Sequence, residues 1–177
     1  MIILLDSYYR EDICNTSLVV MGDSRSSNVV FTDTVYTRVT ADYIPGQFYK
    51  RELPGIINIL EKLKREHPDI WELSIVVVVD GFNTLRNKNE EWPGLGGHLK
   101  EYLESINERK VVWGIAKSKF MESDKISELV YRGNSKNPLY VQSTGSSKIA
   151  AKAVKTMPGD FRIPDMLKEV DKLSRIF

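Results

Sequence analysis

Three acidic residues stand where predicted secondary-structure elements begin or end. Asp6 closes the apolar run 1–5 and Asp80 closes the run 74–79, and both runs are typical of buried strands. Glu52 opens a predicted helix. Carboxylates at the carboxyl ends of neighbouring strands, with a third on an adjacent helix, form an oxygen-rich site suited to a hard divalent cation. The three acids therefore predict a metal site.

Each of these acids also has a plain structural explanation. An Asp at the end of a strand commonly caps the following turn and favours the surface. Taken singly, Asp6 and Asp80 are more simply explained as turn residues than as ligands. The hypothesis of a metal site depends on the combination, and on the segments that flank each acid.

The composition is that of a globular protein of about one domain. With 177 residues, a single domain over 1–177 is expected, and we expect it to be a monomer. The only cysteine, Cys14, excludes an internal disulfide framework and favours a reducing, cytoplasmic location. Two histidines without cysteine partners argue against structural zinc. We expect no signal peptide and no membrane partner, because the chain begins on a predicted strand and no apolar run approaches roughly 18 residues.

The charges are unevenly distributed although the formal net charge is only +1. Residues 129–157 contain no Asp or Glu, whereas they contain Arg132, Lys136, Lys148, Lys152 and Lys155. Such a basic stretch suits contact with nucleic-acid phosphates, and it is equally consistent with a solvated face that lacks acids.

The order of elements predicts an α/β protein. The predicted strands are 2–6, 17–21, 29–40, 73–80, 110–116 and 139–142, and the predicted helices begin near 52 and span 95–106, 147–155 and 164–176, with a loop over 81–93. Three strands followed by alternating helices and strands match the ribonuclease H-like fold, a three-layer arrangement of a mixed central sheet with helices on both faces. The first and fourth strands are neighbours in that fold, which would bring Asp6 and Asp80 together.

A series of short segments follows the order of motifs in one known family. The segments are Leu5-Asp6-Ser7-Tyr8, Tyr43-Ile44-Pro45-Gly46, Arg51-Glu52, Val79-Asp80-Gly81, Gly94-Leu95-Gly96-Gly97-His98-Leu99, Gly114-Ile115-Ala116-Lys117, Ser143-Thr144-Gly145 and Phe161-Arg162-Ile163-Pro164. Together they resemble endonuclease V, which cuts nucleic acid near deaminated bases. By this resemblance the chain is identified as a divergent and shortened member of that family.

The resemblance implies a catalytic site and its cofactor. Asp6, Glu52 and Asp80 correspond to the metal-binding acids, so the expected cofactor is Mg²⁺, with Mn²⁺ as a substitute. Lys117 corresponds to a site lysine that would neutralise a phosphate oxygen, and the four are the expected catalytic residues. The implied reaction is hydrolysis of a phosphodiester bond near an inosine-type base in DNA or RNA, a reaction of DNA repair.

The resemblance also implies contacts with nucleic acid. The segment from Tyr43 to Gly46 corresponds to a wedge loop that fills an unstacked step, although an aromatic packed over the first helix explains Tyr43 as well. Gly81, and Gly114 with it, would let a flipped base approach the main chain. The expected nucleic-acid-binding residues are Tyr43, Ile44, Pro45, Gly46, Gly81, Asn83, Arg86, Ser146 and Lys148. For Ser146, a helix cap is the simpler role.

The chain departs from the family pattern at its loop histidines. Phe82 and Asn83 stand where the family usually carries His-Gly, Arg86 stands at the offset of a second histidine, and Ser146 follows Gly145 where a histidine is usual. Two further hypotheses therefore stay open. Beside the nuclease, one is a catalytically impaired nucleic-acid-binding relative of the family, and the other is a structural or interaction protein without a metal.

Overall fold

The fold was analysed in a computed structural model, which describes residues 1–22, 28–42, 44, 47–87, 90–116, 128–131, 138–143 and 163–176. The strands are β1 (Ile2–Arg10), β2 (Ile13–Met21), β3 (Val29–Arg38), β4 (Val76–Asp80), β5 (Asn83–Asn87), β6 (Glu90–Pro93), β7 (Val111–Ala116), β8 (Glu128–Tyr131) and β9 (Pro138–Ser143). The helices are α1 (Tyr49–Glu66), α2 (Pro68–Leu73), α3 (Leu95–Ser105) and α4 (Ile163–Ser174).

Seven of the strands described here form one mixed sheet in the order β3-β2-β1-β4-β7-β9-β8. The central strands β1, β4 and β7 are parallel, and each long crossover between them contains helices, α1 and α2 before β4 and α3 before β7. The strands on either side, β2 and β9, run antiparallel to their neighbours β1 and β7. The prediction of a ribonuclease H-like fold with adjacent first and fourth strands is confirmed.

Helices cover both faces of the sheet. On one face, Met166 and Val170 of α4 pack on a cluster that includes Leu4 and Val78. On the other face, α1 and α3 pack on a cluster that includes Leu5. Alternate residues of a buried strand point to opposite faces, which explains why the strand sequences here are continuously apolar. Among the described helices, none is both long and apolar enough to span a bilayer.

Strand β1 changes its neighbours along its length. Its pairing with β4 runs from Ile2 to Leu4, whereas its pairing with β2 continues to Arg10. The prediction that the first strand ends at Asp6 was therefore wrong. The polar residues after Asp6 stay in strand conformation because they pair with the first half of β2, which begins at Ile13 and not at the predicted 17. Asp6 lies beyond the last residue of β1 that pairs with β4, in the part of the strand that pairs with β2 alone.

Other boundaries also differ from those predicted. Residues 81–93, predicted as a loop, contain the hairpin β5–β6, in which Thr84 faces Trp92. The strand predicted from residue 73 begins at Val76, because 68–73 form α2. The first residue of α2 is Pro68, and its missing N–H costs the helix no hydrogen bond, because the N–H groups of a first helical turn have no partner within the helix. Strand β8 was not predicted, and the helix predicted at 147–155 lies outside the described residues.

Helix α1 approaches the sheet at a glycine. A Cβ added to Gly55 would lie 2.3 Å from Oγ1 of Thr16 on β2, so a larger side chain would push the helix away. Glu52 belongs to the first turn of the same helix, nearly one turn before Gly55. The close contact at Gly55 therefore sets the position of Glu52 over β1 and β2.

Candidate metal and nucleic-acid site

Asp6 and Asp80 project from neighbouring strands to the same face of the sheet. Leu4 and Val78 are paired and both belong to the cluster beneath α4. Because side chains alternate along a strand, the residues two positions further on, Asp6 and Asp80, face the same way. The acids thus lie at the carboxyl end of β4, where ligands gather in open α/β sheets.

Glu52 reaches this point from the opposite face, in the first turn of α1. Burial raises the pKa of Glu52, and together with the charges of Asp6 and Asp80 it brings the pKa to about 8. A carboxyl that feels both strand acids must lie close to them, since charge interactions weaken with distance. The structure therefore brings together the three acids that the sequence suggested, one from each of three elements.

Asp6 is the most strongly connected of the acids. Its pKa is raised to about 7, chiefly by burial and against a hydrogen bond from the Ser7 backbone that lowers it. The charges of Asp171 and Asp80 raise it too, as does a hydrogen bond that the protonated Asp6 carboxyl donates to Asp171. Buried carboxyls that lie close to other acids keep their protons to a higher pH than exposed carboxyls do.

Asp171 is a fourth acid of the site, and the sequence analysis missed it. It belongs to α4, directly after Val170, which is fully buried against the sheet. In the sequence, Asp171 stands among alternating acidic and basic residues, which is typical of a solvated helix face. What marks Asp171 as a residue of the site is its position beside the buried apolar residues of α4. That buried row can be recognised only once α4 is known to lie across β1.

The donors suit a hard divalent cation, because carboxylate oxygens are the ligands that Mg²⁺ prefers. The raised pKa values of Asp6 and Glu52 fit the same interpretation, because burial and neighbouring acids disfavour their ionised forms, which a cation would favour. As they stand, these carboxylates are not arranged around a single ion position. Within the described ranges, no group of three or more His, Cys, Asp or Glu side chains is placed to hold a metal ion. Binding of an ion therefore requires these side chains to move towards each other.

The turn after Asp80 packs tightly against its own chain. Gly81 has a φ of +73°, which favours glycine. Its amide donates to Ile115 O at 2.9 Å, and its carbonyl accepts from the amide of Gly96 at 3.1 Å. Among the residues that the structure describes, only Phe48 would lie within 4 Å of a Cβ added to Gly81, at 3.9 Å, so none of them crowds this side of the turn.

Gly114 does not have the open face that was expected of it. A Cβ added there would lie 2.5 Å from the backbone nitrogen of Phe82. The absence of a side chain at Gly114 therefore makes room for the chain's own turn and not for a flipped base. The prediction for Gly114 was wrong because the 81–82 backbone crosses directly over β7.

The remaining predicted residues are only partly described. Ile44 is exposed, as expected for a wedge residue. Asn83 and Arg86 lie on β5, whose first residue follows the Gly81-Phe82 turn. Outside the described residues are Lys117, Tyr43, Pro45, Gly46, Ser146 and Lys148.

Comparisons with known proteins agree with this architecture. The family model for endonuclease V matches residues 2–172. No protein with a curated description matches the sequence. One similar solved structure is Ciona intestinalis endonuclease V in complex with a 24mer DNA containing an inosine followed by a ribo-adenosine. The two are 19% identical with a TM-score of 0.73, and the match covers 98% of this chain and 84% of that chain.

Two further structures share the fold. The catalytic domain of human endonuclease V is 22% identical with a TM-score of 0.67, over 98% of this chain and 80% of that one. The endonuclease V of Bacillus subtilis is 15% identical with a TM-score of 0.56, over 97% and 79%. The structural matches show a common fold, and the family match extends over nearly the whole sequence. The chain therefore belongs to the endonuclease V family.

Proposed function

We propose that this protein is a metal-dependent endonuclease that hydrolyses a phosphodiester bond near a deaminated, inosine-type base in DNA or RNA. The observation that carries the proposal is the meeting of Asp6, Glu52 and Asp80 at the carboxyl end of β4, where the two strand acids raise the pKa of Glu52. Family membership supports the substrate class, because the Ciona intestinalis relative is seen with inosine-containing DNA.

The proposed cofactor is Mg²⁺, with Mn²⁺ as its substitute. Asp6, Glu52, Asp80 and Asp171 would hold it through carboxylate oxygens. A bound ion of this kind supplies charge neutralisation on the phosphoryl oxygens and a water of lowered pKa. Asp6 and Glu52, whose pKa values are about 7 and 8, must give up their protons when they become ligands.

The chain's own groups then position the nucleic acid. Asp80 is exposed, so it lies on the side of the cluster from which a phosphate approaches. Lys117, the residue after β7, would offset the charge of a nonbridging oxygen as a point charge. Ile44, in the expected wedge loop, would fill the space of an unstacked base step. The side of Gly81 that no described residue crowds would accept the base that leaves the stack.

Cleavage of a defined strand tests this proposal. The purified protein is incubated with Mg²⁺ or Mn²⁺ and with DNA or RNA strands that carry one inosine, beside matched strands that carry adenosine. We expect cuts near the inosine only, and none with Asp80→Ala. Uncut strands for both metals and both nucleic acids would refute the proposal.

A second candidate function rests on the missing loop histidines. Phe82 and Asn83 occupy the turn where the family usually carries a histidine, and the Phe82 backbone lies against Gly96 and Gly114. A relative without these histidines could keep binding while losing turnover. That candidate predicts binding of inosine-containing strands that weakens steeply with salt, without cleavage in either metal.

A further inference from the structure

Arg175, at the end of α4, connects the fourth acid of the site to strand β1. Its Nε donates a hydrogen bond to Oδ1 of Asp171, with a nitrogen–oxygen distance of 2.9 Å. Its guanidinium carbon lies 4.6 Å from the centroid of the Tyr8 ring. One side chain thus contacts both the acid on α4 and the strand that carries Asp6.

Tyr8 is well placed to hold this arginine. It lies two residues after Asp6 on β1, so its ring projects to the same face of the sheet. A guanidinium group stacks on an aromatic face while its edge remains available for hydrogen bonds. The contact with the ring therefore holds the guanidinium group beside β1, from where Nε bonds to Asp171.

The end of α4 is attached to the sheet by other contacts. Nδ2 of Asn15 donates to the carbonyl oxygens of Ser174 at 2.6 Å and of Ile176 at 2.8 Å. Asn15 is fully buried on β2, so these bonds are shielded from water. The Tyr36 hydroxyl donates to Ile176 O as well, at 3.2 Å. We therefore expect α4 to stay docked when Arg175 is replaced, and we expect the replacement to act on the orientation of the Asp171 side chain.

The Asp171 carboxylate needs a partner that holds its orientation, because it lies next to the carboxyl of Asp6. The protonated Asp6 carboxyl bonds to Asp171, but Asp6 must be ionised to hold a cation, and two ionised carboxylates in contact repel each other. Arg175 engages one oxygen of Asp171 and offsets part of its charge. The carboxylate is then held in one orientation next to Asp6.

We infer that Arg175 is a positioning residue that orients the Asp171 carboxylate for the metal site, an inference that rests on the proposed function. Partners that hydrogen-bond to metal ligands from outside the coordination sphere typically change metal affinity by about 10–100-fold when removed. A merely structural ion pair behaves differently. The Arg175 and Asp171 side chains are 54% and 43% exposed, and exposed pairs contribute little to folding.

Calorimetric titration with Mn²⁺, without nucleic acid, separates the two roles. The proteins compared are wild type, Arg175→Gln, Arg175→Lys and the control Lys172→Gln. Lys172 lies on the same helix and pairs with Glu169 at 2.9 Å, so its change removes the same charge from another exposed pair. We expect Arg175→Gln to weaken Mn²⁺ binding about 10-fold or more. Lys172→Gln should bind as wild type does, and Arg175→Lys should be intermediate, because an ammonium group keeps the charge but not the planar fork.

Changes of Tyr8 test the same idea with Arg175 in place. Tyr8→Phe keeps the aromatic face and should leave Mn²⁺ affinity near that of wild type, whereas Tyr8→Leu should weaken it as Arg175→Gln does. This pair decides the matter if Arg175→Gln fails to fold. Wild-type affinity in both Arg175→Gln and Tyr8→Leu, with cleavage by the wild type intact, would overturn the inference and leave the proposed function standing. A wild type that neither binds Mn²⁺ nor cuts would overturn both.

Discussion

Leu4 and Val78 are the last residues that pair β1 with β4, and an acid follows two positions after each. Beyond this point each strand stays paired only on its other side, Asp6 with β2 and Asp80 with β7, and the two acids continue the same face of the sheet. The side chains of Leu4 and Val78 pack against α4, so the acids of the site lie at the edge of a packed apolar core. The acids are held by strands that cannot shift without disturbing that core.

The raised pKa values predict that the metal-free protein loses stability as the pH rises. Asp6 and Glu52 have pKa values of about 7 and 8 in the fold, above their ordinary values, so the folded state binds protons more tightly than the unfolded chain does. This contribution to stability is fully present below the ordinary carboxyl pKa values of 3.8 and 4.5, and it is lost progressively as the pH rises from there through about 7 and 8. We expect the free energy of unfolding to fall by roughly 1–3 kcal/mol between pH 6 and 8.5.

Denaturant unfolding without divalent ions, measured at several pH values, checks this expectation. Glu52→Gln should flatten the curve, because one of the two titrating groups is gone. Saturating Mg²⁺ should restore stability most at the higher pH, since the ion binds deprotonated carboxylates. A metal-free stability that rises over this interval would contradict the prediction.

Removal of the charge at Asp171 should change the protonation of Asp6. Asp171→Asn abolishes a negative charge and an ionised hydrogen-bond acceptor next to Asp6, and both of them raise the Asp6 pKa. We expect the Asp6 pKa to fall and Mn²⁺ affinity to fall with it. Carboxyl NMR titration measures the first quantity and calorimetry the second. Glu169→Gln, an exposed acid on the same helix, is the matched control and should change neither.

The contact of α1 with β2 predicts a pair of coupled substitutions. Gly55→Ala places a Cβ against Thr16 Oγ1, which should cost roughly 1–3 kcal/mol of stability and displace Glu52 from the strand acids. Thr16→Ala removes that oxygen, so the double variant should recover part of the loss. Chemical unfolding of the four proteins of the cycle measures this coupling. Additive effects would mean that the helix adjusts elsewhere.

Exposure of Ile44 predicts an effect on binding without an effect on folding. Ile44→Ser should change stability by less than about 0.5 kcal/mol, as is usual for exposed positions. Binding to an inosine-containing duplex should weaken, because an apolar side chain that fills an unstacked step is lost. Ile75→Ser is the control, since Ile75 is also exposed but precedes β4, at the end of the strand opposite Asp80. Equal binding by the two variants, measured by fluorescence anisotropy, would exclude a wedge role for Ile44.

The sequence predicted the centre of the fold because the central strands are buried on both faces and are apolar throughout. The run ending at Asp80 is an example, and the adjacency of β1 and β4 followed from the order of the elements. The continuation of β1 to Arg10 was missed, because Ser7 and its successors owe their strand conformation to pairing with β2. Asp171 was missed because its contact with Asp6 joins residues far apart in sequence, and local patterns contain no information on such contacts.

The hydrogen bonds of the buried Asn15 imply that the site is completed late during synthesis of the chain. Its side chain holds the carbonyl of Ser174, 159 positions further along the chain. Asp6, Glu52 and Asp80 leave the ribosome long before α4 does, and until α4 docks, the apolar face of β1 and β4 beneath it stays open to water or to other chains. The nascent protein therefore exposes an incomplete core together with an incomplete set of carboxylates. The core and the set of carboxylates are completed in the same step, when α4 docks against Asn15.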